Sequence, residues 1–448
     1  MICTATILYN RKASYLWVEN MTEKYTLDSI ENKAFLKSGA QALLTFGRHF
    51  PAPGGSSYYL GDNGMPQTEK SRETWFTARM VHVYSIGAML GFSDGVNLAA
   101  AGIKGLSGEL CDREYGGYYA GINADGSILP GKHCYAHAFV ILAATSACLA
   151  SIEGAEALLE NALRQYDTLF WDEKEGLSAD AWDTQVTCLD PYRGLNANMH
   201  SVEAFLAVAD AMEDENTKEI YRTRCRRIID RVLGWASDND YRIPEHFTKN
   251  WEPEYEKNKE RPDDPFKPYG ATPGHGIEWA RLILQWSLSA NTEKQDYYTD
   301  AACRLYERAK SDAWFSDGTP GFVYTTDWNG QPVVRDRMHW VLAEAINTSA
   351  VLYRVTREQK FADDFAAYLQ YLDQTMLDHG CGSWYHQLDE KNRPKSTVWP
   401  GKPDLYHAFQ AMLIPYAAPS VSIAKALSRE KTAPIPAIQK SVPISFHI

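Results

Sequence analysis

The links between the helices of this chain alternate between a few residues and long stretches, and that alternation restricts the folds open to it. Apolar residues recur at helical spacing near 27–47, 72–92, 95–111, 134–152, 155–169, 196–213, 217–236, 273–290, 295–313, 337–355, 359–378 and 404–417. Short links such as Gly91-Phe92-Ser93-Asp94 and Thr356-Arg357-Glu358 follow the even helices and force the next helix to run antiparallel beside them. Long glycine- and aromatic-rich segments follow the odd helices. All the long segments must therefore emerge at one end of the assembly.

Those segments resemble one another. Gly117-Tyr118-Tyr119-Ala120-Gly121-Ile122-Asn123-Ala124-Asp125-Gly126 is echoed by Gly321-Phe322-Val323-Tyr324-Thr325-Thr326-Asp327-Trp328-Asn329-Gly330 and by Gly382-Ser383-Trp384-Tyr385-His386-Gln387-Leu388-Asp389. Each is an aromatic, strand-like run closed by an Asp, Asn or Gly turn, as in a short hairpin. Six helix pairs with hairpins at one rim indicate an all-α (α/α)6 barrel. A helical solenoid is the alternative, but no polar capping repeats mark either end. The expected organisation is an extension over 1–24, a catalytic barrel over 25–418 and a tail over 419–448, where Pro434, Pro436 and Pro443 lie among small polar residues. Met21 is a candidate start, since Met1–Asn20 lacks a secretory apolar core.

A net charge of −12 argues against nucleic acid or an anionic membrane as partner. Eight cysteines without a Cys-x-x-Cys pair read as reduced thiols in a cytoplasmic protein. No apolar run is long enough to span a bilayer. Oligomeric state is left open, a homo-oligomer included.

The even helices, reached from the long segments, form the expected inner ring, with their N-terminal ends around one pocket. Those ends carry Arg79, Tyr135 with His137, Asn196 with His200, His275 with Glu278, Trp340 with Glu344, and Tyr406-His407. Polar groups at helix starts that face a core need a reason. Any one histidine is readily a satisfied core group, but six helices repeating the pattern at the same end favour a site. His200 and His275 each have a glutamate three residues on, Glu203 and Glu278, on the same helical face, where a carboxylate fixes an imidazole's tautomer and raises its basicity. Di-iron proteins use Glu-x-x-His from a four-helix bundle, the reverse order, so no metal is expected. An inverting glycosidase would need a pair such as Glu278 and Glu344, but each has a more natural partner, His275 for Glu278 and a histidine or sugar hydroxyl for Glu344. Histidines near neutral pH suit movement of a carbon-bound proton, and aromatic rims suit sugar faces. A non-enzymatic carbohydrate-binding protein would not require histidines with orienting glutamates.

The runs Thr74-Trp75-Phe76-Thr77-Ala78-Arg79-Met80, Tyr192-Arg193-Gly194-Leu195-Asn196-Ala197-Asn198-Met199-His200, Thr272-Pro273-Gly274-His275-Gly276-Ile277-Glu278-Trp279 and Lys402-Pro403-Asp404-Leu405-Tyr406-His407 resemble the N-acylglucosamine 2-epimerase superfamily, in particular its aldose–ketose isomerase branch with the mannose and sulfoquinovose isomerases. The resemblance covers about residues 25–417. It implies an (α/α)6 barrel that interconverts mannose and fructose through a 1,2-enediol without metal or other cofactor. By the same resemblance His275 and His407 transfer protons and His200 assists ring opening and substrate binding; the three-residue spacing adds Glu278 as the group that orients His275. Arg79, Tyr135, Asn196, Trp340, Glu344 and His386 match positions that line the sugar site.

Relative to the sulfoquinovose branch, this chain has Pro403 and His386 where glutamines are typical and Pro265 near an arginine position. Proline offers no side-chain donor to a sulfonate. An uncharged hexose is therefore expected, with Lys267 and Arg337 as the cations able to compensate. N-acylglucosamine and cellobiose 2-epimerases remain alternatives, because reprotonation at C2 instead of C1 gives epimerisation.

Overall fold

A helix surrounded by other helices must be apolar on nearly every side, whereas one at the surface needs only a stripe. The computed structural model, which describes residues 23–428, sorts the helices by that rule. In chain order they are α1 (Ile30–Gly47), α2 (Thr74–Met89), α3 (Gly95–Ser107), α4 (Cys134–Leu149), α5 (Ala155–Leu169), α6 (Leu195–Ala211), α7 (Glu215–Asp238), α8 (Pro273–Ser289), α9 (Gln295–Ala313), α10 (His339–Thr356), α11 (Gln359–Tyr371) and α12 (Tyr406–Ala411). The even helices are almost wholly buried, and the odd ones bury a single face. Each even helix packs on the next even helix, and α12 packs on α2, so the inner ring closes. Each also packs on an outer partner, α12 taking α1. This is the (α/α)6 barrel expected from the links.

Two-residue strands tie the inner helices together at their N-terminal ends. Arg72–Glu73, just before α2, pairs antiparallel with Gly121–Ile122 of the following long segment. Lys132–His133 before α4 pairs with Ala181–Trp182, Arg193–Gly194 before α6 with His246–Phe247, and Arg337–Met338 before α10 with Gln387–Leu388. Before α8, Ala271 bridges Thr326. Before α12, the Lys402 amide donates to the Leu60 carbonyl at 2.9 Å, joining the last repeat to the first. The three echoed segments close alike: the amides of Asn123, Asp327 and Asp389 donate to the carbonyls of Ser127, Gln331 and Arg393, each at 2.8 Å. Asp327 and Asp389 also accept backbone N–H groups with Oδ1, the side-chain turn that Asx residues favour.

The opposite end differs from the sequence expectation. Residues 419–428 do not lie outside the barrel: α13 (Ile423–Leu427) packs against α2, α4 and α6, with Ile423 and Ala424 buried and the Ser422 amide bonded to Asp210 at 2.6 Å. The reason is the shortness of α12, whose six residues give way to a 3-10 turn at Ile414–Tyr416 containing Pro415 and leave the lower end of the ring to be filled. At the other terminus Lys24 and Tyr25 bond to Asp373. Met21 and the tail beyond 428 lie outside the described residues. No helix among the described residues is long and apolar enough to cross a membrane.

Gly274 lets α8 meet α10 closely, since a Cβ there would stand 2.6 Å from the Trp340 ring and 2.7 Å from Val341. Gly274→Ala is expected to cost about 1–3 kcal/mol through overpacking, read as a lowered urea midpoint. A variant as stable as the wild type would contradict this contact.

Candidate active site

Side chains on a helix lean toward its N-terminus, so the first turns of the inner ring project into the space enclosed by the strand pairs. That space is a pocket of about 620 Å³ including its open mouth. Arg79, Tyr135, Asn196, His200, His275, Glu278, Trp340, His386 and His407 all line it. So do Trp75, Phe266, Tyr324, His339, Trp399 and Asp404, which the sequence reading did not single out as site residues.

Two histidines are backed by carboxylates. His407 Nδ1 lies 3.0 Å from Glu344 Oε1, and His275 Nδ1 lies 2.9 Å from Glu245 Oε1. A carboxylate can only accept, so each Nδ1 carries the proton and each Nε2 remains the working nitrogen. The Trp340 indole lies near both rings, 5.0 Å from His275 and 5.9 Å from His407. Burial, and then the Arg79 charge, hold His407 well below the usual imidazole range. It is a neutral base at physiological pH.

Arg79 is fixed by Asp404 at 3.2 Å and by donation to the Tyr135 hydroxyl at 2.6 Å, while the rings of Trp75, Phe139 and Tyr406 surround its guanidinium. His200 Nδ1 faces Glu203 at 3.4 Å and Glu278 at 3.9 Å. Burial pushes His200 down to about 4 despite the hydrogen bond with Glu203. Burial also raises Glu278 well above the carboxylate range, helped by the charge of Glu344, and neither of its oxygens has a hydrogen-bond partner. Glu278 is thus the carboxyl at the pocket floor that holds a proton most readily.

Three expectations are corrected. Glu278 does not orient His275; Glu245, from the segment before Phe247, does. His275 lies in the first turn of α8, so its ring leans back over the helix start, away from residue 278. Glu344 does not line the pocket but lies fully buried behind His407. Arg337 is no candidate for a sugar anion, because it is buried against Asp317 and nearby carbonyls, and Lys267 Nζ sits 3.8 Å from the centre of the Tyr192 ring. His137 is a satisfied core group: Nε2 accepts from the Tyr118 amide at 3.0 Å and Nδ1 meets the His133 carbonyl at 2.8 Å.

Of the missed residues, Asp404 lay inside a quoted motif and His339 opens α10, whereas Glu245 carried no periodic signal. His339 stacks on His386 with centroids 3.7 Å apart, and His386 Nε2 is buried without a partner. His200, Glu203 and Glu278 have donor atoms within 4.8 Å of one another, the one such metal-sized group among the described residues. Glu203 is already engaged by Tyr406 and Gln410, which competes with any ion there.

A family model described as N-acylglucosamine 2-epimerase (GlcNAc 2-epimerase) matches residues 54–411. The chain is 39% identical to a D-mannose isomerase of Pseudomonas cannabina pv. alisalensis, over 82% of this chain and 89% of that one. It is 37% identical to a D-mannose isomerase of Thermobifida fusca, over 89% and 97% respectively. A crystal structure of a D-mannose isomerase superposes with a TM-score of 0.79 at 26% identity, covering 85% of this chain and 97% of the other. Cellobiose 2-epimerase from Spirochaeta thermophila shares the fold, with a TM-score of 0.72 at 17% identity over 86% and 96%.

Burial makes His200 and His339 neutral well below the ordinary value of 6.5, each to about 4. Both bind more protons unfolded than folded between those values, so the stability they contribute is present above pH 6.5 and is lost as pH falls toward 4. The urea midpoint should drop over that interval, and the drop should shrink in His339→Phe. A midpoint flat across the interval would contradict the buried neutral state.

Proposed function

The chain belongs to the N-acylglucosamine 2-epimerase family, and from that premise we propose that it isomerises D-mannose to D-fructose by histidine acid–base chemistry. The observation that carries the chemistry is the pair of pocket histidines, each with Nδ1 engaged by its own carboxylate and Nε2 free. Aldose–ketose exchange moves one proton from C2 to C1 and shifts hydroxyl protons between O1 and O2. Such a reaction needs a neutral base beside carbon and a second group able to relay.

His407, held neutral by burial, takes the C2 proton on Nε2 and returns it to C1. His275, held by Glu245, passes protons between the two oxygens. Arg79 faces the developing enediolate with its charge already oriented by Asp404 and Tyr135, so little reorganisation is required as the oxyanion forms. The carboxyl of Glu278 and the His200 ring beside it serve ring opening, which needs a donor to O5 and an acceptor from O1. Asn196, whose Oδ1 is buried without a partner, and His386, with its free Nε2, bind sugar hydroxyls.

Trp75, Phe266 and Trp399 meet edge to face at the mouth, with centroids 5.4–6.2 Å apart. That enclosure supports a monosaccharide over cellobiose. Pro265 and Pro403 line the same pocket, which supports an uncharged sugar.

His407→Asn and His275→Asn should each lower kcat for mannose by on the order of 10²-fold or more with smaller changes in KM, and Glu245→Gln should lower it by about tenfold or more. Fructose formation followed by NMR is the measurement, and near-native turnover in both histidine variants would overturn the assignment. For the wild type, kcat/KM for mannose should exceed that for sulfoquinovose by roughly tenfold to a hundredfold, the loss of a hydrogen bond to a charged group being about 1.5–3 kcal/mol. The reverse order would overturn the choice of an uncharged sugar.

A further inference from the structure

At and beneath the pocket floor lies a buried layer in which Glu278 and Glu344 both pair with the guanidinium of Arg281, with Glu203 beside them. Arg281 lines a second cavity on the far side of the floor, with Gln285 and the α13 region, and does not line the sugar pocket. Its Nε donates to Glu344 Oε2 at 3.0 Å, and its Nη2 lies 2.9 Å from the same oxygen but 3.7 Å from Glu278. The other Glu344 oxygen receives His407 Nδ1 at 3.0 Å. The guanidinium, a carboxylate and the imidazole therefore form a line running from the floor cavity to the reacting nitrogen.

Resting on the isomerase reading, we propose that Arg281 is the positioning residue for His407: it keeps Glu344 ionised behind the imidazole and leaves Glu278 as the carboxyl that holds the proton. The argument is one of geometry and charge. A carboxylate in a dry interior stays ionised only when a countercharge reaches it, and removal of one partner leaves the other uncompensated. Arg281 reaches Glu344 at 2.9 and 3.0 Å and Glu278 at 3.7 Å, so its charge acts on both and more closely on Glu344. Glu203 already receives the Tyr406 hydroxyl and Gln410, so its charge is met from α12. His82, from α2, turns to Ser146 at 2.7 Å and is pushed down to about 4 by burial, while Arg79, the other buried cation of α2, is paired with Asp404 at 3.2 Å. Burial raises Glu344 above the ordinary carboxylate range, and the Arg281 charge opposes that rise.

An ionised Glu344 stabilises the imidazolium that forms when His407 takes a proton. A protonated Glu344 does not. In Arg281→Met, Glu344 should therefore ionise only at higher pH, and kcat for mannose should fall about tenfold to a hundredfold near pH 7 but climb as pH rises. Arg281→Lys should restore most of the loss, and KM should change little in either variant. Glu344→Gln should be slow at every pH, and Arg281→Met combined with Glu344→Gln should be no slower than Glu344→Gln alone.

The assignment is overturned if Arg281→Met keeps the wild-type profile, if its loss is the same at every pH, or if the two losses multiply in the double variant. Should the single methionine variant fail to fold, the double variant, which removes the stranded charge, decides by the same comparison with Glu344→Gln. Wild-type enzyme that makes no fructose would sink the functional reading instead. In that case the His407 imidazole resonance still decides on Arg281: its titration should differ between the wild type and Arg281→Lys by less than between the wild type and the double variant, and equal titration in all three would overturn the assignment.

Discussion

Backbone pairing at the rim is the constraint on which the remainder of this structure depends. Five of the six inner helices start within a residue or two of a hydrogen-bonded tie to the next long segment, and the ties run from repeat to repeat until Lys402, four residues before α12, reaches Leu60. Because main-chain groups make the ties, they fix where a helix begins without prescribing the side chains that follow. A side chain in the first turn then leans outward over the helix start, into the common pocket. Six such starts supply convergent groups that no single helix could present.

Convergence has an electrostatic cost, because it draws several carboxylates into a region with little water. The structure meets it by unequal treatment. Glu344 receives Arg281 and His407, Glu203 receives Tyr406 and Gln410, and Glu278 receives nothing of hydrogen-bonding quality. Three residues of one type thereby acquire different protonation and different duties through the distances to their neighbours. The same principle separates His137, whose two ring nitrogens are both engaged by backbone groups, from His407, whose Nε2 is left free to react.

The barrel was legible in the sequence because link length is a topological quantity. Short turns such as Gly91–Asp94 fix antiparallel neighbours whatever the side chains do, and the Asp327 and Asp389 turns advertise their hairpins through Asx chemistry. The pocket residues on the inner helices were legible because their positions repeat. Glu245 was not, since it belongs to a long segment with no period and meets His275 only through the pairing of Arg193–Gly194 with His246–Phe247. The His275–Glu278 pairing failed for a related reason: spacing gives the angular relation of two residues on a cylinder, but not the direction a side chain takes when its helix has barely begun. The floor was hidden too, because nothing in the small-residue stretch after Pro419 announces that α12 is short enough to need filling.

The closure between Lys402 and Leu60 at the top is matched below, where the Tyr416 hydroxyl receives the Asn32 side chain at 2.8 Å and donates to the Leu27 carbonyl. First and last repeats are therefore tied to each other at both ends of the barrel, and the circle is closed. The order in which the polypeptide visits the six sectors is a matter of genetic history, while the pocket answers only to their angular arrangement. A rearranged gene that opened one short lower turn and joined the present ends would describe the same circle, starting from a different point.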